Sequence, residues 1–234
     1  MSAIYKRELS SYFNSMIGYV FIAAMVFFNG IYFMAYNIYS GLPDFSYCLM
    51  SMMSILMFTV PILTMKSMAE ERHSRTDQLL LTAPVPLWQV VLGKYLAMVT
   101  VFLIPVLLSA FCPLIIAANG EAHLLSDYAT LLAFFLMGCV FIAVGMFLSS
   151  LTESQIIAAV GTFAVLLLFF LWEDLMSFLP GALSNVLSAF AFRTVFYNFA
   201  QYQVFDLSGL ILYGSLAALF VFLTIQTLLR RRWN

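Results

Sequence analysis

Nine of the ten basic residues in this chain fall into three clusters, and the long stretches between them carry almost no charge. Lys6 and Arg7 stand at the N-terminus; Lys66, Arg72, Arg75 and Lys94 lie near the centre; Arg230, Arg231 and Arg232 close the chain. Only Arg193 falls elsewhere. The apolar stretches reach the roughly 20 residues that a helix needs to cross a hydrocarbon core about 30 Å thick. In lipid a lone segment satisfies its backbone polar groups only as a helix. An even number of crossings separates each basic cluster from the next, so all three share one side. Lys and Arg accumulate on the cytoplasmic side of membranes. The pattern predicts an all-α membrane protein with six transmembrane helices and both termini in the cytoplasm.

A chain that is 64% hydrophobic and 9% charged, with a mean hydropathy of +1.00, lies outside the soluble range. No basic patch is interleaved with aromatics, which argues against nucleic acid as a partner. Cys48, Cys112 and Cys139 have no metal-ligand spacing and read as small packing residues. The first apolar stretch is too long for a signal peptide and no small-residue cleavage site follows it, so it reads as an uncleaved anchor.

Residues 1–14 divide as a helix into an apolar face (Ile4, Tyr5, Leu9, Tyr12, Phe13) and a polar one (Lys6, Arg7, Ser10, Ser11), the pattern of an interfacial helix. The spans are expected at about Ser15–Ile38, Tyr47–Lys66, Val90–Ala118, Leu125–Leu148, Gln155–Trp172 and Leu207–Leu229. Pro61 predicts a kink late in the second. Residues 40–44 and 119–123 form outer turns without a base, and 149–154 an inner turn. Residues 173–207 are too polar for a clean span and too apolar for an exposed loop. They are expected to form short re-entrant helices in the outer leaflet, since irregular backbone at membrane depth must be shielded. The whole, residues 1–234, reads as a single domain.

Residues 67–89 hold most of the charge in the middle of the chain. Glu70, Glu71, Arg72, Arg75 and Asp77 crowd together; Leu79, Leu80 and Leu81 follow; Pro84-Val85-Pro86 turns the chain, and Gly93-Lys94 opens the next helix. A charged helix followed by an apolar one under a membrane suits docking of a cytoplasmic partner. The same charges would also serve simply to set topology.

This segment resembles the intracellular loop of ABC type-2 exporter permeases, the kind that serve antibiotic export and gliding motility. Their pattern is an acid-Arg pair, Gly-Thr, a Glu, a Leu run, Pro-Val and a later Gly-Lys. Glu71-Arg72, Thr76, Leu79-Leu80-Leu81-Thr82-Ala83-Pro84-Val85 and Gly93-Lys94 match, while Arg75 replaces the usual Gly and Gln78 the usual Glu. The resemblance implies a half-transporter that pairs with a second permease, identical or different. Its coupling segment would be Glu70, Glu71, Arg72, Arg75 and Asp77 with Leu79–Leu81, and Thr152-Glu153 would make a second contact. The partner would be a separate P-loop ATPase holding ATP and Mg, with no cofactor, metal or catalytic residue in this chain. The chain has no G-x-x-x-x-G-K-[ST], the loop whose backbone cradles phosphate, since Gly93-Lys94 is followed by Tyr95. The family also implies a translocation path along the second and fifth spans. There Met50, Met52, Met53, Met57 and Phe58 would offer an adaptable surface to an amphipathic cargo. By the same analogy the protein belongs in a bacterial plasma membrane, surrounded by its lipids.

Two other classes compete. Glu70-Glu71-x-x-x-Arg75 is similar to an element of CAAX-protease-like membrane endopeptidases, but those enzymes also need intramembrane histidines. Here His73 lies in the charged loop and His123 in an outer turn. An ion-coupled carrier or channel would place ionisable groups near midplane, and the first four spans carry none deep within them. A non-transporting scaffold subunit of a similar complex is the remaining alternative.

Overall fold

The computed structural model describes residues 2–73, 86–119, 123–176 and 192–233. Those residues are helical almost throughout. They form α1 (Ser2–Asn14), α2 (Met16–Phe33), α3 (Ser46–Thr64), α4 (Lys66–His73), α5 (Leu87–Ser109) and α6 (Cys112–Asn119). After them come α7 (Leu124–Leu151), α8 (Gln155–Met176), α9 (Phe192–Ala200) and α10 (Leu207–Trp233). Among the described residues six helical stretches are long and apolar enough to cross a membrane. They are Met16–Tyr39, Ser46–Arg72, Leu87–Ala118, Leu124–Leu151, Gln155–Leu175 and Leu207–Arg231. The chain is therefore a multi-pass all-α membrane protein.

Several boundaries differ from the sequence expectation, each for a local reason. The first span ends in a wider π-helical turn, Met34–Tyr39. Gly41 then reverses the chain at φ +65°, a backbone conformation that glycine adopts without steric cost. Asn37 Nδ2 staples this turn by donating to the Leu42 and Asp44 carbonyls, at 2.9 and 3.1 Å. Pro61 lies inside α3, which runs on to Thr64, and the chain breaks at Met65 before α4. The third span is two helices with a break at Ala110–Phe111. Pro113 has no N–H to donate to the Ser109 carbonyl and is accommodated in the first turn of a new helix. Gly93-Lys94 does not open a helix, because α5 already begins at Leu87.

α7 and α3 are the centre of the bundle: 72% and 61% of their membrane-length windows are buried, against 17% for α8 and 22% for α10. Lipid tails are as apolar as Leu, so close packing rather than exclusion from water must hold such spans together. Two glycines of α7 supply it. A Cβ on Gly138 would lie 2.2 Å from Cε1 of Phe102 on α5, and one on Gly145 would lie 2.3 Å from Oγ1 of Thr64 on α3. Seven residues are about two turns, so both lie on one stripe of α7. Around them, Phe102 makes ring contacts with Phe21, Phe134 and Phe135.

Of the expected re-entrant segment, residues 177–191 lie outside the described residues. The described part contains α9, whose Phe192, Val195, Phe196 and Phe199 are buried. Arg193, the one base outside the three clusters, pairs with Glu173 and Asp174 at the end of α8, at 3.3 and 3.2 Å. Its guanidinium also lies 5.3 Å from the Phe170 ring and 5.5 Å from the Tyr197 ring. Arg193 is thus accompanied by two carboxylates.

Candidate functional site

One end of the bundle gathers α1, α4, the start of α5, the 152–154 turn and the end of α10. Side-chain bonds join these elements to one another. Arg7 reaches Glu71 (3.3 Å), Arg72 reaches Glu153 (3.2 Å), and Arg231 Nη2 donates to the Ser150 carbonyl at 2.7 Å. Asp44, Gln203, Glu173 and Arg193 lie at the opposite end, where Gln203 Nε2 donates to Asp44 at 3.5 Å.

α4 is the hub of the basic end. The first four N–H groups of a helix have no partner within it. Ser149 Oγ, from α7, accepts two of these, from Met68 (3.2 Å) and Ala69 (3.1 Å), and donates to the Met65 carbonyl at 3.1 Å. An N-cap normally comes from the preceding residue; here it comes from another span. On its outward side α4 carries Glu70, exposed and paired at 3.8 Å with Lys66 one turn earlier.

On its inward side α4 closes a four-membered ring of alternating charge. Glu8 Oε1 meets Arg7 at 2.6 Å and Glu8 Oε2 meets Lys94 at 3.1 Å. Lys94 meets Glu71 Oε1 at 2.8 Å, and that same oxygen meets Arg7 at 3.3 Å. Lys94 Nζ also donates to the Ser67 carbonyl at 3.0 Å. The ring is formally neutral and spans three helices: Arg7 and Glu8 from α1, Glu71 from α4 and Lys94 from α5. The Lys94 side chain is 3% exposed, Glu8 12% and Glu71 20%. A charge that far from water is tolerated only with partners of this kind. The outer part of the ring shapes Arg7 itself. Its hydrogen bond to Glu8, opposed by partial burial and aided by the charges of Glu8 and Glu71, holds its pKa above the ordinary guanidinium value. A cleft of about 360 Å³ opens beside the ring, lined by Arg7, Glu8, Ser11, Lys66 and Glu70 among others.

α1 is seated on this end by two glycines. A Cβ on Gly93 would lie 3.1 Å from Cγ2 of Ile4, and one on Gly18 would lie 2.7 Å from the Tyr12 carbonyl oxygen. Tyr12 is the buried residue of α1, and its hydroxyl donates to the Leu63 carbonyl of α3 at 3.4 Å.

Of the expected coupling residues, Glu70, Glu71, Arg72, Thr152 and Glu153 come together at this end, with Glu71 turned into the ring. Arg75, Asp77, Leu79, Leu80 and Leu81 lie outside the described residues. Glu8 and Ser149 were not singled out from the sequence, and Lys94 only as half of the Gly93-Lys94 match, without a role. Two signals pointed to Glu8 and Lys94: Glu8 is the only acid beside the N-terminal bases, and Lys94 sits two turns into an otherwise apolar helix. Along the expected path, Met52, Met53 and Met57 are buried in the core, Met50 is half-buried, and Phe58 alone of the five is largely open at 59%. Phe58 touches Phe163 of α8 with ring centroids 5.0 Å apart. His73 and His123 stand at opposite ends of the bundle, and among the described residues no three His, Cys, Asp or Glu side chains gather as a metal-ligand set.

The described residues thus form a six-span helical membrane bundle with a short charged helix directly after the second span. The family described as ABC-2 family transporter protein matches residues 34–229. The chain belongs to that family and is a permease of the ABC exporter type. No curated protein matches the chain. The matched segment includes Glu71, Lys94 and Ser149 and begins after α1.

Proposed function

We propose that this chain is the transmembrane subunit of an ATP-driven exporter, and that a separate P-loop ATPase docks at the basic end. ATP and Mg belong to that partner. The observation that carries the reading is the position of α4. It continues the second span out of the core and is bonded to α1, α5, α7 and the 152–154 turn. Force applied to α4 therefore reaches several spans at once. Glu70, Arg72, Thr152 and Glu153 form the described part of the docking face, and Glu71 holds α4 to the bundle. When the ATPases close on ATP, α4 shifts and the spans rock against a second permease, identical or different. Residues 1–234 act as one permease domain. The basic end faces the cytoplasm of a bacterial cell, following the positive-inside bias. The path runs along the permease–permease surface at the second and fifth spans, lined by Phe58 and Met50 with Phe163.

A photo-crosslinking residue placed at Glu70 or at Glu153 tests the docking face in native membranes. Both should capture a P-loop ATPase, and the same residue at Leu125, exposed at the opposite end, should not. A correctly inserted protein that gives no ATPase adduct from either position would overturn the assignment.

A further inference from the structure

We infer that the outer end of the bundle carries a lipid site. A groove between the start of α7 and the 199–205 segment holds one phospholipid of the outer leaflet, with an ethanolamine head favoured over an anionic one. The inference stands apart from the ATPase-coupled reading.

The groove encloses about 660 Å³. One wall is α7 with its leading residue, from His123 to Leu132; the other is Phe199 at the end of α9 with Gln203, Val204 and Phe205. Local bonds hold the second wall in place. The Val204 N–H donates to the Asn198 carbonyl at 3.0 Å, and the Phe205 ring meets Phe199 edge-on, with centroids 5.5 Å apart. Gln203 turns the chain at φ +53°, alone with a positive φ among the described non-glycine residues. Residues with a Cβ seldom adopt that conformation, and here Gln203 Nε2 reaches Asp44 at 3.5 Å.

Length and polarity select the occupant. His123, Ser126 and Gln203 stand at the outer end of the groove, while Ala129, Leu132 and Phe199 line it further in. Thr130 Oγ1 donates to the Phe199 carbonyl at 3.1 Å and so fixes the level of that ring. At about 1.5 Å per residue, the run from His123 to Leu132 descends about 14 Å. That is close to the roughly 15 Å of hydrocarbon in one leaflet. A phospholipid has the same order of polarity, head outermost and chain inward. Leu125, Val204 and Phe205 are exposed around the groove, so it opens toward the surrounding lipid. Ser126 Oγ is buried and has no hydrogen-bond partner among the described residues. An orphan hydroxyl of this kind is satisfied by a bound molecule, and a lipid ester oxygen at that depth can accept from it.

Charge selects the head. No Lys or Arg lines the groove. The charged groups that adjoin its polar end are carboxylates: Asp44, bonded to Gln203, and Asp127, next to Ser126, wholly buried and with Oδ2 unpartnered. These repel a net anionic head and attract an ammonium.

The test uses the intact protein, with the subunits that accompany it, in nanodiscs of mixed lipid. A trace of phospholipid carries a diazirine in one acyl chain and either an ethanolamine or a glycerol head, and labelled residues are found by peptide mass spectrometry. The ethanolamine probe should label 129–132 and 199–205 a few-fold more than it labels the exposed Phe27 and Ile31 of α2. It should also exceed the glycerol probe at the groove. Ala129→Trp fills the groove and should abolish the excess while Phe27 and Ile31 label as before. Asp44→Asn should narrow the difference between the two heads. The wild-type comparison needs no variant to fold. Groove labelling no greater than that of Phe27 and Ile31, or an excess that Ala129→Trp leaves intact, would overturn the site. An excess equal for both heads would overturn the selection by charge. A photo-reactive residue at Leu125 that captures a second copy of the chain, with no lipid excess, would assign the groove to a protein contact and overturn the lipid site.

Discussion

Lys94→Met removes the buried cation that two partly buried carboxylates share, and its cost follows from the ring. Breaking a buried pair from one side typically costs about 3–5 kcal/mol, because the other charge stays behind in a low dielectric. Here the Glu8 and Glu71 side chains are 12% and 20% exposed, and Arg7 contacts both at 2.6 and 3.3 Å. Arg7, itself 57% exposed and screened, can take up part of the charge left behind. The expected loss is therefore nearer the lower end, about 3 kcal/mol. At roughly 2–4 °C per kcal/mol for a chain of this size, the melting temperature should fall on the order of 6–12 °C. The double variant Lys94→Met/Glu71→Gln leaves only the Arg7–Glu8 pair, and neutral replacement of a whole buried pair is often harmless. It should lie within about 1 kcal/mol of wild type. Thermal unfolding of the three proteins in the same detergent, followed by circular dichroism and light scattering, makes the comparison. A double variant as unstable as the single one would refute the reasoning, since the loss would then come from packing at position 94 and not from stranded charge.

Three further outcomes follow from the same geometry. Gly138→Ala should destabilise the bundle by about 1–3 kcal/mol as the added methyl meets the buried Phe102 ring, and Gly138→Ala/Phe102→Leu should recover part of that loss in the same unfolding assay. Ser149→Ala removes the acceptor for the Met68 and Ala69 N–H groups; it should cost about 1 kcal/mol and accelerate proteolysis within residues 66–73 without impairing insertion. Asp206 accepts from Ser208 Oγ and the Gly209 N–H at the start of α10, which holds its pKa below the ordinary carboxylate value. Its contribution is thus complete above the unfolded pKa and disappears as pH falls through the lower folded value. Asp206→Ala should therefore cost about 1 kcal/mol at neutral pH, and its difference from wild type should vanish in strong acid.

The spans and the shared end of the basic clusters were legible because both depend on patterns local to the chain. A membrane-length apolar run has one stable form in lipid, and the side on which Lys and Arg collect follows from counting crossings. The ring was not legible. Arg7 and Glu71 stand 64 residues apart, and Lys94 another 23 residues beyond Glu71, so nothing local announces that three helices converge there. The methionines of α3 show a different limit. Lipid tails and core side chains are equally apolar, so a row of Met on a span does not say which side faces a neighbour. α7, α8 and α2 pack around α3 and bury Met52, Met53 and Met57, leaving Phe58 on the surface. Pro113 was visible in the sequence, but the way it divides the third span depends on the chain restarting as α6.

If an ATPase on another chain drives this permease, the two should leave the membrane together. Affinity purification of the tagged protein from its own membranes, with the co-purifying chains identified by mass spectrometry, tests it most directly. A P-loop ATPase should emerge in fixed ratio to the permease. Permease that emerges without an ATPase, from detergent in which other ABC complexes stay whole, would contradict it.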